Sequence, residues 1–223
     1  NARGSDVLKE TAREISGRFG VKVNYVAADI TSPTGRAAVL EVASDIDILV
    51  TNAGGPPPGV WSDWSRDDFI AALDANMLSP IALMQALMPA MITKGWGRVV
   101  NITSQSVKAP ISQLGLSNAA RAGLTGFVAG TSRQVAPHGV NINNLLPGIH
   151  ATDRADMLDQ AIVVQRGITL DEARAQRAAT IPARRYGAAA DFGAACAFLC
   201  SQQAAFIVGQ NIVLDGGAAN ITI

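Results

Sequence analysis

Residues 21–50 read VKVNYVAADITSPTGRAAVLEVASDIDILV. The first eight, 21–28, alternate β-formers with small and polar residues and predict a strand. Asp29-Ile30 follows, and Ser32-Pro33 sets a capping hydroxyl before a proline at a first helical position, which predicts a helix through Val42. That helix feeds Ile46-Asp47-Ile48-Leu49-Val50, a short apolar run bounded by polar residues and read as a second strand. The order is β-α-β, and a strand regained through a helix lies parallel to the one before it.

The same alternation extends in both directions. Upstream, residues 7–19 carry apolar residues near helical spacing and stop at Gly20. Downstream come a helical stretch at 65–92, a strand at 98–102, a helix at 117–136 and a strand at 141–145. A polar, Ala-rich segment at 152–183, a helix at 191–200, a strand at 211–214 and the turn Asp215-Gly216-Gly217 complete the chain. Strands separated by helices predict an α/β fold with a doubly wound parallel sheet in three layers, one domain over residues 1–223, with ligands at the strand ends. A helix that opens a chain of this class normally crosses over from an earlier strand, and no Gly-x-Gly-x-x-Gly follows a strand anywhere. The first β-α-β unit, with its pyrophosphate cradle, is therefore expected to be missing from this sequence.

Lys plus Arg and Asp plus Glu number 18 each, so no net field draws nucleic acid or an anionic membrane, and the expected partner is a small molecule. No stretch reads as the ~20 apolar residues that span a bilayer. Cys196 and Cys200 stand four apart on one predicted helix face, placed to pack as small hydrophobes. The absence of a disulfide framework predicts a cytoplasmic protein.

Several segments in their order carry a family resemblance: Asp29-Ile30, Asn52-Ala53-Gly54, Asn101-Ile102-Thr103-Ser104, Pro147-Gly148 with Thr152, and Val213-Leu214-Asp215-Gly216-Gly217. Together they resemble the short-chain dehydrogenase/reductase family, particularly its 3-oxoacyl-acyl-carrier-protein reductase-like branch, and so imply a Rossmann-like fold. The resemblance implies that Asp29 and Ile30 clamp the adenine of a nicotinamide cofactor and that Asn52, Ala53 and Gly54 lie beside its adenosine half. It implies that Pro147, Gly148 and Thr152 hold the nicotinamide end, and that Ser104 is catalytic. Asn76, a poor helix former inside a helical run, resembles the family's active-site Asn, which props a water through a distorted turn.

Where the family's Tyr-x-x-x-Lys should stand, this sequence has Ser117 and Arg121, and Ala122-Gly123-Leu124-Thr125-Gly126-Phe127 resembles the segment just after the Lys. The only tyrosines are Tyr25 and Tyr186. A phenol beside an ammonium gives up a proton near neutral pH, whereas an aliphatic hydroxyl is a far weaker acid. Arg121 shares a helix face with Ser117 and keeps the positive charge, without the proton-relay ability of Lys.

The expected function is hydride transfer between NADP or NAD and a carbonyl or alcohol substrate, with Arg3 favouring NADP. Ser104 and Ser117 hold the carbonyl, Arg121 stabilises the alkoxide and grips the nicotinamide ribose, and His150 or a water chain supplies the proton. The alternatives are a cofactor-binding or scaffold protein of the same fold, and a lyase or isomerase working without cofactor. Residues 153–185 occupy the place of the family's substrate lid, where Met157, Ile162 and Val163 are candidates for an apolar pocket. Arg174, Arg177, Arg184 and Arg185 are candidates for an anionic substrate, or simply a solvated face. A homodimer or homotetramer packed partly through the small residues Ala119, Ala120, Ala122 and Gly123 is implied as well.

Overall fold

The computed structural model describes residues 1–222. Its frame is a parallel sheet in the order β1 (Ile48–Thr51), β2 (Gly97–Ile102), β3 (Val140–Pro147) and β4 (Asn211–Leu214). Between β1 and β2 run α3 (Arg66–Leu73), a π-helical turn (Asp74–Leu78) and α4 (Ser79–Lys94), and between β2 and β3 runs α5 (Gly115–Val135). After β3 come α6 (Asp153–Arg166), α7 (Leu170–Ala179) and α8 (Ala189–Leu199). Ahead of the sheet lie α1 (Ser5–Phe19), closed by Gly20 at φ 64°, and α2 (Pro33–Val42), capped by the Ser32 hydroxyl as expected.

Alternation along each strand divides the core in two. Leu49, Val99, Val140 and Ile142 face Leu83, Met84, Leu87 and Met91 of α4 and Leu124 and Val128 of α5. Val100 and Leu145 face Leu199, with Phe192, Cys196 and Cys200 of α8 packed beside them. The two cysteines thus serve as small apolar side chains. The second helical layer does not reach β1, where Ile48 and Val50 stay 43% and 44% exposed.

A polar row crosses the first of these faces at a single register. Thr51, Asn101, Asn144 and Asn211 are successive Cα partners across the four strands. The Thr51 hydroxyl donates to Asn101 Oδ1 at 2.6 Å, Asn101 Nδ2 to Asn144 Oδ1 at 3.2 Å, and Asn144 Nδ2 to Asn211 Oδ1 at 2.8 Å. Buried amides are costly unless partnered, so the row favours the one register in which all of them meet.

Two expectations need correction. Residues 21–28 form no strand and, among the described residues, make one isolated parallel bridge, Ala27 with Ala2, supported by Asn1 Nδ2 on the Val26 and Ala28 carbonyls. Strand propensity without a neighbour to complete a ladder leaves Val21 and Tyr25 half exposed. The helical run from Arg66 to Lys94 extends over 29 residues and is long and apolar enough, by length and composition, to cross a membrane. Its apolar side chains Leu83, Met84, Leu87, Met88 and Met91 are instead buried against the sheet, as in a core helix.

Candidate active site

Because the strands are parallel, the chain leaves β1, β2 and β3 at the same end of the sheet, and their exit loops converge there. They surround a cavity of about 550 Å³. Asn52, Ala53, Gly54 and Gly55 form one side, Ile102, Thr103 and Ser104 the floor, and Pro147, Gly148, Ile149 and His150 the other side. Ser117 and Arg121 enter from α5, and Thr152, Arg154 and Leu158 from the start of α6.

Arg121 ties this cavity together. Its Nε donates to Ser117 Oγ at 3.1 Å, one helical turn away, and its Nη1 donates to the Ile102 carbonyl at 2.8 Å at the end of β2. The second guanidinium nitrogen reaches the Ala53 carbonyl at 3.4 Å, beyond the end of β1. The residue is 7% exposed and, among the described residues, forms no ion pair. Burial, and after it the nearby positive Arg154, together lower its pKa to about 10. Since Ser117 Oγ accepts from the guanidinium, the hydroxyl proton of Ser117 points elsewhere.

Ser104 caps a short helical turn, its Oγ accepting from the Ser106 amide at 3.1 Å. Thr152 caps α6 and donates to the His150 carbonyl at 3.4 Å. The His150 ring is held on the wall. Its Nδ1 lies 3.3 Å from the Gly148 carbonyl oxygen, and it stands edge-on to Phe192 at 5.1 Å between ring centroids. Gly187 backs the ring so closely that a methyl group there would come within 2.6 Å of it. No hydrogen bond joins His150 to Ser104, Ser117 or Arg121 among the described residues.

A family model described as enoyl-(acyl carrier protein) reductase matches residues 2–219. The chain belongs to the short-chain dehydrogenase/reductase family. A 3-oxoacyl-[acyl-carrier-protein] reductase of Salmonella typhimurium is 32% identical over 227 residues, covering 97% of this chain and 88% of the relative. Among solved structures, L-sorbose reductase from Gluconobacter frateurii, complexed with NADPH and L-sorbose, superposes with a TM-score of 0.94 at 25% identity over 99% of this chain and 86% of that one. An NADPH-dependent reductase involved in bacilysin biosynthesis superposes with a TM-score of 0.93 at 26% identity, covering all of this chain and 88% of the other.

Asn76 lies at the centre of the π-helical turn, 2% exposed, with Nδ2 donating to the Ala72 carbonyl at 3.4 Å and Oδ1 unpartnered. Widening the helix by one residue there distorts the turn around Asn76. Asp29 and Ile30 are placed apart from the cavity lining. The Asp29 carboxylate accepts from the amide and hydroxyl of Thr31 at 2.9 and 2.8 Å, and these bonds hold its pKa below the usual carboxylate range. The Ile30 carbonyl is taken by Arg36 and Ser79.

The lid expectations are revised. Met157 is 67% exposed, and neither it nor Ile162 or Val163 lines the cavity; Ala155 and Leu158 do. Arg174 pairs with Asp156 and Arg185 with Asp191, while Arg184, at φ 56°, bonds the Ala179 carbonyl. Arg177 forms a short ion pair with Asp159, whose carboxylate is fully buried and also accepts from the Tyr186 hydroxyl at 2.9 and 3.0 Å. Desolvation, then the Asp159 bond, raises the Tyr186 pKa, and its ring lies outside the cavity lining, so it does not substitute for a catalytic tyrosine. Sequence reasoning passed over Arg154, one arginine among many with no motif to mark it.

The cavity's composition fits the nicotinamide half of a dinucleotide. Thr103 Oγ1 and Gln105 Oε1 are buried without partners next to it, and Gly54 has open space where a side chain would stand.

Proposed function

We propose that this protein is an NADP(H)-dependent carbonyl reductase in which the Ser117–Arg121 pair does the work of the family's Tyr and Lys. The observation that carries the reading is the 3.1 Å hydrogen bond from Arg121 Nε to Ser117 Oγ at the floor of the cavity. NADP(H) rather than NAD(H) is favoured by the two similar reductases whose names specify NADPH. Asn52, Ala53, Gly54, Pro147, Gly148 and Thr152 would hold it, and its nicotinamide supplies the hydride when bound.

Ser104 and Ser117 orient the carbonyl oxygen by donating hydrogen bonds to it. The buried Arg121 cation stabilises the negative charge that develops on that oxygen, in a setting where water screens it little. The alkoxide so formed is about as basic as a serine alkoxide, so Ser117 O–H passes its proton across without a steep energy rise, and a proton from bulk solvent, relayed through ordered water, restores the hydroxyl. The π-turn at Asn76 offers an unpartnered buried carboxamide oxygen for ordering such a water. His150, fixed on the cavity wall, is a secondary candidate for the outer end of that chain. Helices α6 and α7 are read as the substrate lid of a single domain over residues 1–223.

The test is NADPH oxidation with a panel of 3-oxo esters and simple ketones. Turnover is expected, with Ser117→Ala lowering kcat about 10²-fold while the Kd for NADPH holds. Above pH about 10 the rate of carbonyl reduction is expected to fall as Arg121 loses its proton, and to stay level below that point down to neutrality. NADPH binding with no oxidation of any substrate would establish the scaffold alternative instead.

A cytoplasmic homodimer or homotetramer is part of this proposal. Of the four small residues expected on that face, Ala119, Ala122 and Gly123 are exposed along α5, together with Gly126 and Gly130, whereas Ala120 is buried in the core and takes no part. Sedimentation velocity checks it, and a monomer at micromolar concentration would rule it out.

A further inference from the structure

Three arginines, Arg121, Arg154 and Arg177, line the cavity with His150, and among the described residues no Asp or Glu does. Arg177 is neutralised by Asp159. Arg121 is buried at the floor with only Ser117 Oγ and two carbonyls for company. Arg154, in the first turn of α6, makes a single long bond, Nη1 to the Gly55 carbonyl at 3.3 Å, and has no carboxylate partner among the described residues. It reaches across because Gly55 has no side chain: a methyl group there would stand 2.9 Å from its Nη2. Gly55 lies two residues further from the sheet than Ala53, so Arg154 stands towards the mouth and Arg121 at the floor.

Two uncompensated guanidiniums facing one cavity repel each other, and the depression of the Arg121 pKa by Arg154 is one sign of it. Of the other lid arginines, Arg174, Arg177 and Arg185 pair with Asp156, Asp159 and Asp191, while Arg166 on Gln176 and Arg184 on the Ala179 carbonyl lie outside the cavity lining. Of the two lid arginines that line the cavity, Arg154 is the one without an acid among the described residues. An anion between it and Arg121 relieves the repulsion and forms charge-assisted bonds with a planar donor built for carboxylate or phosphate.

We infer that the substrate carries a carboxylate or phosphate a few atoms from its carbonyl carbon, and that Arg154 is the specificity-determining residue that holds it. This rests on the reductase reading above. With the carbonyl oxygen at Ser104 and Ser117, the anionic end points to the mouth, where its capture also draws the start of the lid towards the Gly54-Gly55 loop.

The experiment compares kcat/KM for oxo acids of increasing chain length, each against its methyl ester, and for dihydroxyacetone phosphate against dihydroxyacetone. A preference of tenfold or more for one class of anion is expected, with the carboxylate and phosphate arms showing which. Arg154→Ala is expected to bring that preference close to unity through KM for the acid, and Arg154→Glu to invert it, with the Kd for NADPH unchanged in both. Esters turned over as well as acids would overturn the inference while leaving the reductase reading intact. A weakened NADPH Kd with an unchanged acid preference would overturn it too, assigning Arg154 to the cofactor. If no carbonyl compound is turned over, the reductase reading fails. The inference is then judged by calorimetric titration of succinate and inorganic phosphate: binding abolished by Arg154→Ala upholds the anion site, and no binding sinks it.

Discussion

Arg121→Met is expected to lower kcat/KM for carbonyl reduction by 10²- to 10³-fold, roughly 3–4 kcal/mol of transition-state stabilisation, with most of the loss in kcat. The guanidinium bonds Ser117 Oγ directly and spans from the end of β2 at Ile102 to Ala53 beyond the end of β1. Methionine fills similar volume without the charge. Its removal strands the Ile102 and Ala53 carbonyls, at about 1–3 kcal/mol each if they stay dry. It also removes a buried cation that no acid compensates, which acts in the opposite direction. Stability is therefore expected to change much less than activity, and a thermal melt beside the kinetics separates the two. Arg121→Lys keeps the charge but has one nitrogen for three acceptors, so an intermediate rate is expected. An Arg121→Met variant with undiminished kcat/KM would end the Ser117–Arg121 mechanism.

The second large effect concerns folding. Arg177→Met is expected to destabilise the protein by about 3–5 kcal/mol, because it leaves the carboxylate of Asp159 buried with a phenol as its main remaining partner. Asp159 is 0% exposed, and it joins α6, α7 and the segment at Tyr186, whose ring also lies under the Arg177 guanidinium at 5.6 Å. In a chain of this length the melting temperature should fall on the order of 10 °C. The double variant Asp159→Leu with Arg177→Met should recover most of the loss, since an apolar pair of similar volume carries no unpaired charge. If the single variant melts within a degree or two of the parent, the ion pair is not what holds α6 to α7.

Much of the fold was legible because it is written locally. Apolar runs flanked by turn formers marked the strands now seen at Ile48–Thr51, Gly97–Ile102, Val140–Pro147 and Asn211–Leu214 to within two residues. Ser32 and Gly20 marked helix ends by capping chemistry that involves only neighbours in sequence. Residues 21–28 misled for the converse reason: a strand exists only when another backbone completes its ladder, and propensity cannot report on that.

The site divides along the same line. That Ser117 and Arg121 lie together followed from their four-residue spacing on a helix, and the sequence by itself determined that no tyrosine or lysine stands there. Only the tertiary structure decided that Arg121 grips Ala53, 68 positions away, and Ile102, 19 away, or that Asn144 completes a row from Thr51 to Asn211. Asp159, Arg177 and Tyr186 give no sequence sign of their partnership, and Arg154 none that it alone of the lid arginines faces the cavity unpaired. The physical reason is range. Periodicity and capping act over about four residues, whereas which charge meets which depends on strand register and on where each crossover sets its helix down.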